Sequence, residues 1–157
     1  MSEKEFKIIA NLENKGSLVS LTRHREILQK FSKRFFGADT RAYLFLSGIG
    51  IKKDLYYNHD EFKKEETYDL YRLGTGAADL RAFTTSFLIT NAYIYYSNIE
   101  SINSIEDLFN IELNQITLIT QLAAASAIDY LDQEIAWTEN KDFPAEFKSF
   151  LINTNLD

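Results

Sequence analysis

One stretch of the chain is apolar on every side. From Ile116 to Ile128 the residues run Ile-Thr-Leu-Ile-Thr-Gln-Leu-Ala-Ala-Ala-Ser-Ala-Ile. Wound at 3.6 residues per turn, Ile116, Ile119 and Ala123 line one stripe, while Leu118, Leu122 and Ala125 cover much of the remaining circumference. A helix that is hydrophobic all round belongs inside its domain, and this one is shorter than the roughly 20 residues a membrane crossing takes. It is expected to be a buried central helix. Its β-branched pairs, Ile116-Thr117 and Ile119-Thr120, leave a strand open at its beginning.

Helical spacing recurs elsewhere. From Ser20 or Thr22 to Phe36, Leu21, Ile27, Leu28, Phe31 and Phe35 make one apolar face, with Gly37 placed as a C-terminal cap. A helix is expected next from Ala42 to Leu46, with Asp39 as N-cap and Gly48 as its stop; Tyr43 to Leu46 leaves a short strand open. Gly48-Ile49-Gly50 then reads as a bend. The loop Asp54 to Asp60 leads into a charged helix from about Asp60 to Leu73, which Gly74-Thr75-Gly76 ends. Another helix spans Ala77 to Tyr96, with Asp79 in its first turn.

Ser104 can cap a following segment, with Asp107 three residues on as its capping-box partner. One helix from Ile105 to Trp137 would be about 50 Å long, more than a domain of this size is wide. A break is therefore expected at Asn110 or Asn114, with the central helix running from about Asn114 to Trp137. At the ends, Glu3 to Asn14 fits a helical stripe. It also alternates at Phe6, Ile8, Ala10 and Leu12, which would make a hairpin with Ser17 to Leu21 through Asn14-Lys15-Gly16. Pro144 opens a last helix in which Phe143, Phe147, Phe150 and Leu151 form a lid over the core.

Composition narrows the fold. At 157 residues, with no repeat, low-complexity tract or dividing linker, the chain reads as a single helical domain over residues 1–157. One proline and six glycines are few breakers, which favours an all-α bundle of about six or seven helices; the alternative is α+β with a small N-terminal hairpin. The absence of cysteine excludes disulfide frameworks, thiolate zinc sites and Cys nucleophiles. Met1-Ser2-Glu3-Lys4-Glu5 lacks the basic start and apolar run of a secretory signal, so a cytoplasmic protein is expected.

The net charge of −6 hides an asymmetry. Between Lys15 and Lys53, nine basic residues (Lys15, Arg23, Arg25, Lys30, Lys33, Arg34, Arg41, Lys52, Lys53) face only Glu26 and Asp39, so the remainder carries the whole acidic excess. Such a chain can pair its own halves or offer opposite faces to different partners. Internal pairing is preferred, because surface charges are generally mixed.

The candidate chemistry is sparse. Arg23, Arg25, Lys30, Lys33 and Arg34 form a basic patch that could neutralise nucleic-acid phosphates, yet the chain is acidic and has no zinc finger, bZIP run or helix-turn-helix. His24, beside the apolar stripe, and His59 lack a second ligand at metal spacing, so no metal or cofactor is expected. Asp129, Asp132 and Glu134, like Glu61, Glu65, Glu66 and Asp69, read as solvated carboxylates rather than acid–base pairs. Gly74-Thr75-Gly76-Ala77-Ala78-Asp79 lacks the Lys-Ser/Thr ending of a phosphate loop.

Seven of the nine tyrosines lie between Tyr56 and Tyr96, and Tyr68, Tyr71, Arg72, Arg81 and Tyr93 are the candidate binding residues, since Tyr and Arg combine contact area with a polar tip. The favoured function is a small cytosolic binding protein (inhibitor, immunity-like or adaptor) acting through a protein–protein interface rather than an enzyme. A helical small-molecule sensor or enzyme with a Tyr/Arg-lined pocket is the second reading, and nucleic-acid binding through residues 20–36 the third. No membrane partner is expected, and self-association stays open.

Overall fold

The computed structural model describes residues 16–35 and 37–134. The expected segments at Glu3 to Asn14, beyond Trp137 and from Pro144 onward lie outside these residues, as do Phe36 and the tail of the central helix. The fold is mostly helical, with a small two-stranded antiparallel sheet. In chain order it has strand β1 (Ser17–Leu21), a 3-10 turn (Thr22–His24), helices α1 (Arg25–Phe35), α2 (Asp39–Lys52) and α3 (His59–Lys64), and strand β2 (Thr67–Arg72). Helix α4 (Ala78–Asn98), a second 3-10 turn (Ile105–Asn110) and helix α5 (Leu113–Glu134) complete it.

The apolar stretch is helical throughout, as part of α5. Ile116, Ala123, Ala124, Ala127, Ile128 and Leu131 are fully buried. The strand alternative at its beginning fails because the Thr117 hydroxyl is satisfied inside the helix, donating to the Asn114 carbonyl at 3.0 Å, and because the alanines that follow are the best helix formers. The expected break lies at Ile111 and Glu112. Before it, Asp107 Oδ2 accepts the backbone N–H groups of Asn103 at 2.9 Å and Ser104 at 3.3 Å, which fixes the entry into the second 3-10 turn.

α5 packs most extensively on α2, and this contact corrects the reading of the glycines. α2 does not stop at Gly48 but runs through Gly48 and Gly50 to Lys52, so Gly48-Ile49-Gly50 is no bend and Tyr43 to Leu46 is no strand. Asp39 is the first helical residue rather than the cap, and its charge acts on the exposed N–H groups of that turn. Gly50 is needed because a Cβ there would lie 2.4 Å from the carbonyl oxygen of Ala123. The two backbones touch, and only hydrogen fits between them. Beside this crossing, the buried Asn91 of α4 donates to Ser47 Oγ at 3.0 Å and Thr120 Oγ1 at 3.1 Å, pinning three helices together.

The sheet is the second correction. The charged helix expected to reach Leu73 stops at Lys64, and Thr67–Arg72 is a strand instead. Asn58 starts α3, its Oδ1 accepting from the Glu61 N–H at 3.0 Å. A helix over Thr67–Arg72 would have left β1 without a backbone partner. The strand pairs Ser17 with Arg72, Leu18 with Tyr71, Val19 with Asp69, Ser20 with Tyr68 and Leu21 with Thr67, with a bulge at Leu18/Val19. Ser20 and Leu21 therefore end a strand rather than begin a helix, and α1 starts only at Arg25. The N-terminal hairpin alternative placed a strand at Ser17 to Leu21 correctly, but its partner among the described residues lies some fifty positions downstream.

The far edge of β1 is closed by side chains. Val19 N–H donates to Gln121 Oε1 of α5, and the Tyr43 hydroxyl of α2 donates to the Val19 carbonyl, both at 2.9 Å. Sheet and helices are thus joined through one residue.

The two glycines of α2 should respond oppositely to alanine. At Gly48 a Cβ meets only Phe87 Cε1 at 3.5 Å, an ordinary contact, so Gly48→Ala should keep or raise the melting temperature through helix propensity, worth about 1 kcal/mol. Gly50→Ala forces the helices apart and should cost about 3 kcal/mol, lowering the melting temperature by roughly 5–10 °C in circular dichroism. Equal melting of the two variants would refute the close crossing.

Candidate functional site

The only strongly coupled group of charges among the described residues forms where β1 turns into α1. The 3-10 turn turns His24 inward, almost fully buried, and leaves Arg23 at the surface. Arg23 reaches two acidic segments at once. Its Nη1 and Nη2 hold Asp129 of α5 from both oxygens at 2.6 and 3.0 Å, and its Nε donates to Glu65 Oε1 at 2.7 Å. His24 Nε2 lies 2.7 Å from Asp129 Oδ1. Glu65 also accepts a short hydrogen bond from the Tyr57 hydroxyl, which in turn lies 3.4 Å from Arg23 Nη2.

Electrostatics follow from this geometry. Burial pushes the Asp129 carboxyl up, but hydrogen bonds from His24 and Arg23 and their charges outweigh it and hold it at about 2. Glu65 is lowered by its hydrogen bonds from Arg23 and Tyr57, whereas the Tyr57 hydroxyl is raised by its bond to Glu65. An Asp129 carboxylate held ionised can only accept, so His24 Nε2 carries the hydrogen between them. His24 Nδ1 is buried without a hydrogen-bond partner among the described residues. Through these contacts the group acts as a clasp. It ties the Asp54–Glu66 segment, whose Tyr57 N–H also donates to the Leu122 carbonyl at 3.0 Å, to α5 and to the start of α1.

Asp129 was expected to be solvated like its neighbours; Asp132 is exposed, and the side chain of Glu134 lies outside the described residues. The structure places the basic patch partly in internal contacts. Arg23 is in the clasp, Arg25 lies over the Tyr68 ring at 4.5 Å, and Lys30 pairs with Glu26 at 3.2 Å. Lys33 is exposed, and the Arg34 side chain is not among those described. Among the described residues no group of three His, Asp or Glu residues is arranged to hold a metal ion, and no helix is long and apolar enough to cross a membrane.

The candidate binding residues separate into two places. Tyr68, Tyr71 and Arg72 share β2, where Tyr71 donates to the Thr75 carbonyl and closes the glycine turn. Arg81 and Tyr93 lie on α4, about 18 Å apart along its axis. Tyr93 is instead part of a different surface that periodicity did not reveal. Tyr93 (37%) and Ile94 (36%) near the end of α4 and Ile99 (55%) just past it are exposed, Ile94 lining one groove and Ile99 another. The first, of about 530 Å³, runs between α2 and α4 and includes Gly48, Ile51, Lys52, Phe87, Asn91 and Ile94. The second, of about 720 Å³, lies between β1, α3, the end of α4 and the start of α5, and includes Ser17, His59, Lys63, Tyr95, Gln115 and Gln121. The clasp positions α3, which is one wall of this second groove.

Because the Asp129 carboxyl is depressed on folding, the clasp contributes stability that is present above the ordinary carboxylate range and lost as pH falls from about 4 to about 2. Arg23→Ala should cost about 1–2 kcal/mol near neutral pH, a figure discounted because the Arg23 side chain is nearly half exposed. In urea titrations the gap to the unsubstituted protein should narrow towards pH 2. A constant gap would place the effect outside the clasp.

Comparison with known proteins finds no matching family model, no matching curated protein and no matching solved structure.

Proposed function

We propose that this chain is a small cytosolic binding protein of inhibitor, immunity-like or adaptor type, a single domain closed around α5 that acts through a protein–protein interface. The observation that supports the reading is the end of α4, where Ile94 and, just past the helix, Ile99 are exposed apolar residues that each line one of the two grooves, with Tyr93 exposed beside Ile94. Isolated exposed apolar residues are ordinary on a protein surface, but adjacent ones bordering grooves are the usual form of a docking face. The clasp supports it indirectly. Arg23 and His24 are both engaged with carboxylates, which leaves them structural rather than catalytic.

A second reading has its own support. The α2–α4 groove is mostly apolar, has the buried Asn91 in its lining, and falls within the roughly 300–1,000 Å³ typical of small-molecule sites. A helical sensor or enzyme would use that groove rather than a pocket joining Tyr68, Tyr71, Arg72 and Tyr93. Nucleic-acid binding through residues 20–36 is the weaker proposal, since Arg23, Arg25 and Lys30 already have partners within the fold.

Immobilised full-length protein should retain a stoichiometric protein partner from native lysate, and Ile94→Glu with Ile99→Glu should abolish retention without moving the melting temperature by more than about 2 °C, since exposed substitutions cost little. Loss with Tyr71→Ala or Arg72→Ala instead would move the interface to β2. Absence of any stoichiometric partner, together with a rise in melting temperature on adding small apolar compounds, would replace this reading with the second.

A further inference from the structure

We propose that the groove between β1, α3 and the start of α5 docks a short acidic segment of a partner protein. The inference rests on the binding-protein reading and specifies which surface and which chemistry it uses. Its basis is charge complementarity. The chain has 23 acidic residues against 17 basic ones, yet none of the described residues lining this groove is a carboxylate.

Lys63 of α3 is the cationic side chain among the described residues lining the groove. His59 and Lys63 are four residues apart, which puts them on one face, one turn above the other, and both are solvent-exposed and line the groove. Lys63 makes no ion pair among the described residues, whereas its neighbour Lys64 pairs with Glu61 at 3.6 Å and Lys30 with Glu26. The same helix thus turns its neutralised pair away and its unneutralised cation towards the groove.

The opposite side is uncharged where it lines the groove. α5 begins at Leu113, its first turn contains no acidic side chain, and Asn114 and Gln115 of that turn line the groove. The start of a helix is the positive end of its dipole, and amide side chains there can meet carboxylates. Between these two sides, Tyr95 and Tyr96 supply an aromatic wall, their rings in edge contact with centroids 5.0 Å apart. Leu118, partly exposed, adds apolar surface from α5. An occupant with carboxylates flanking one or two apolar side chains meets each of these groups with its complement.

A basic segment would meet Lys63 as repulsion. Pairing of an incoming strand with β1 is blocked at Val19, where Gln121 and Tyr43 already hold the N–H and the carbonyl. Recognition is therefore through side chains, and its strength should depend on salt.

The test uses three fluorescent eight-residue probes, alternating Leu with Glu, Gln or Lys, titrated with the full-length protein at about 50 mM salt, where screening is weak. The Glu probe should bind at least about tenfold more tightly than the Gln probe, corresponding to about 1.4 kcal/mol. The Lys probe should not bind, and the advantage should shrink at about 300 mM salt. Lys63→Glu should remove the preference, Lys63→Arg should keep it, and Ile105→Glu, at an exposed position that lines neither groove, should leave it unchanged. Equal binding of the Glu and Gln probes, no binding of any probe, or a preference that survives Lys63→Glu would each overturn the proposal. The broader reading fails separately. A protein partner retained by the unsubstituted chain and by Lys63→Glu alike, with no Glu-probe preference, removes the acidic-segment inference and leaves the binding-protein reading standing.

Discussion

The close crossing of α2 and α5 is the constraint on which the rest of the structure depends. At Gly50 the two backbones approach until a single methyl group would lie 2.4 Å from the Ala123 carbonyl oxygen. A contact that tight brings Ser47 and Thr120 within reach of one amide, and Asn91 then draws α4 onto the same seam. A buried polar group of this kind is tolerated only when its partners are in place, so the amide specifies the arrangement as well as stabilising it. The same seam produces the α2–α4 groove. Gly48, two residues before Gly50 and lacking a side chain, leaves space beside Phe87 that any larger residue would fill.

Around that seam the charges sort into two kinds. The basic stretch between Lys15 and Lys53 is largely answered from within the chain: Arg23 by Glu65 and Asp129, Arg41 by Asp79 at 3.3 Å. These contacts are between residues about forty and about a hundred positions apart, so they close the fold across long loops and make the clasp sensitive to acid. Lys63 belongs to the other kind. Among the described residues it has no ion-pair partner, and its helix is anchored through the buried Phe62 and through the clasp behind it. Neutralised charge thus maintains the wall on which unneutralised charge is displayed.

Helix type and extent were legible wherever periodicity and punctuation agreed. Ala77 to Tyr96 was read to within two residues of α4, and the break before the central helix followed from length and from the Ser104–Asp107 pattern. Reading failed where a residue serves a distant contact. Gly48 and Gly50 look like a helix stop because glycine disfavours helices on average, and only the Ala123 backbone on the other side reverses that meaning. Thr67–Arg72 has too few residues to distinguish a charged helix from a strand, and its partner, Ser17–Leu21, lies far away in sequence. Asp129 resembles Asp132 in every local respect. It differs because helix geometry turns it towards Arg23 and His24.

By itself, the sequence determined that Ile116–Ile128 is a buried helix, that few breakers make the chain mostly helical, and that no thiol chemistry is available. These follow from properties each segment carries alone: apolar fraction, spacing and composition. Tertiary structure decided which glycine is a contact, which carboxylate is a clasp, which strand pairs with which, and that the exposed end of α4 lies between two grooves. Those are properties of pairs of segments, set by distances in space that no local pattern encodes.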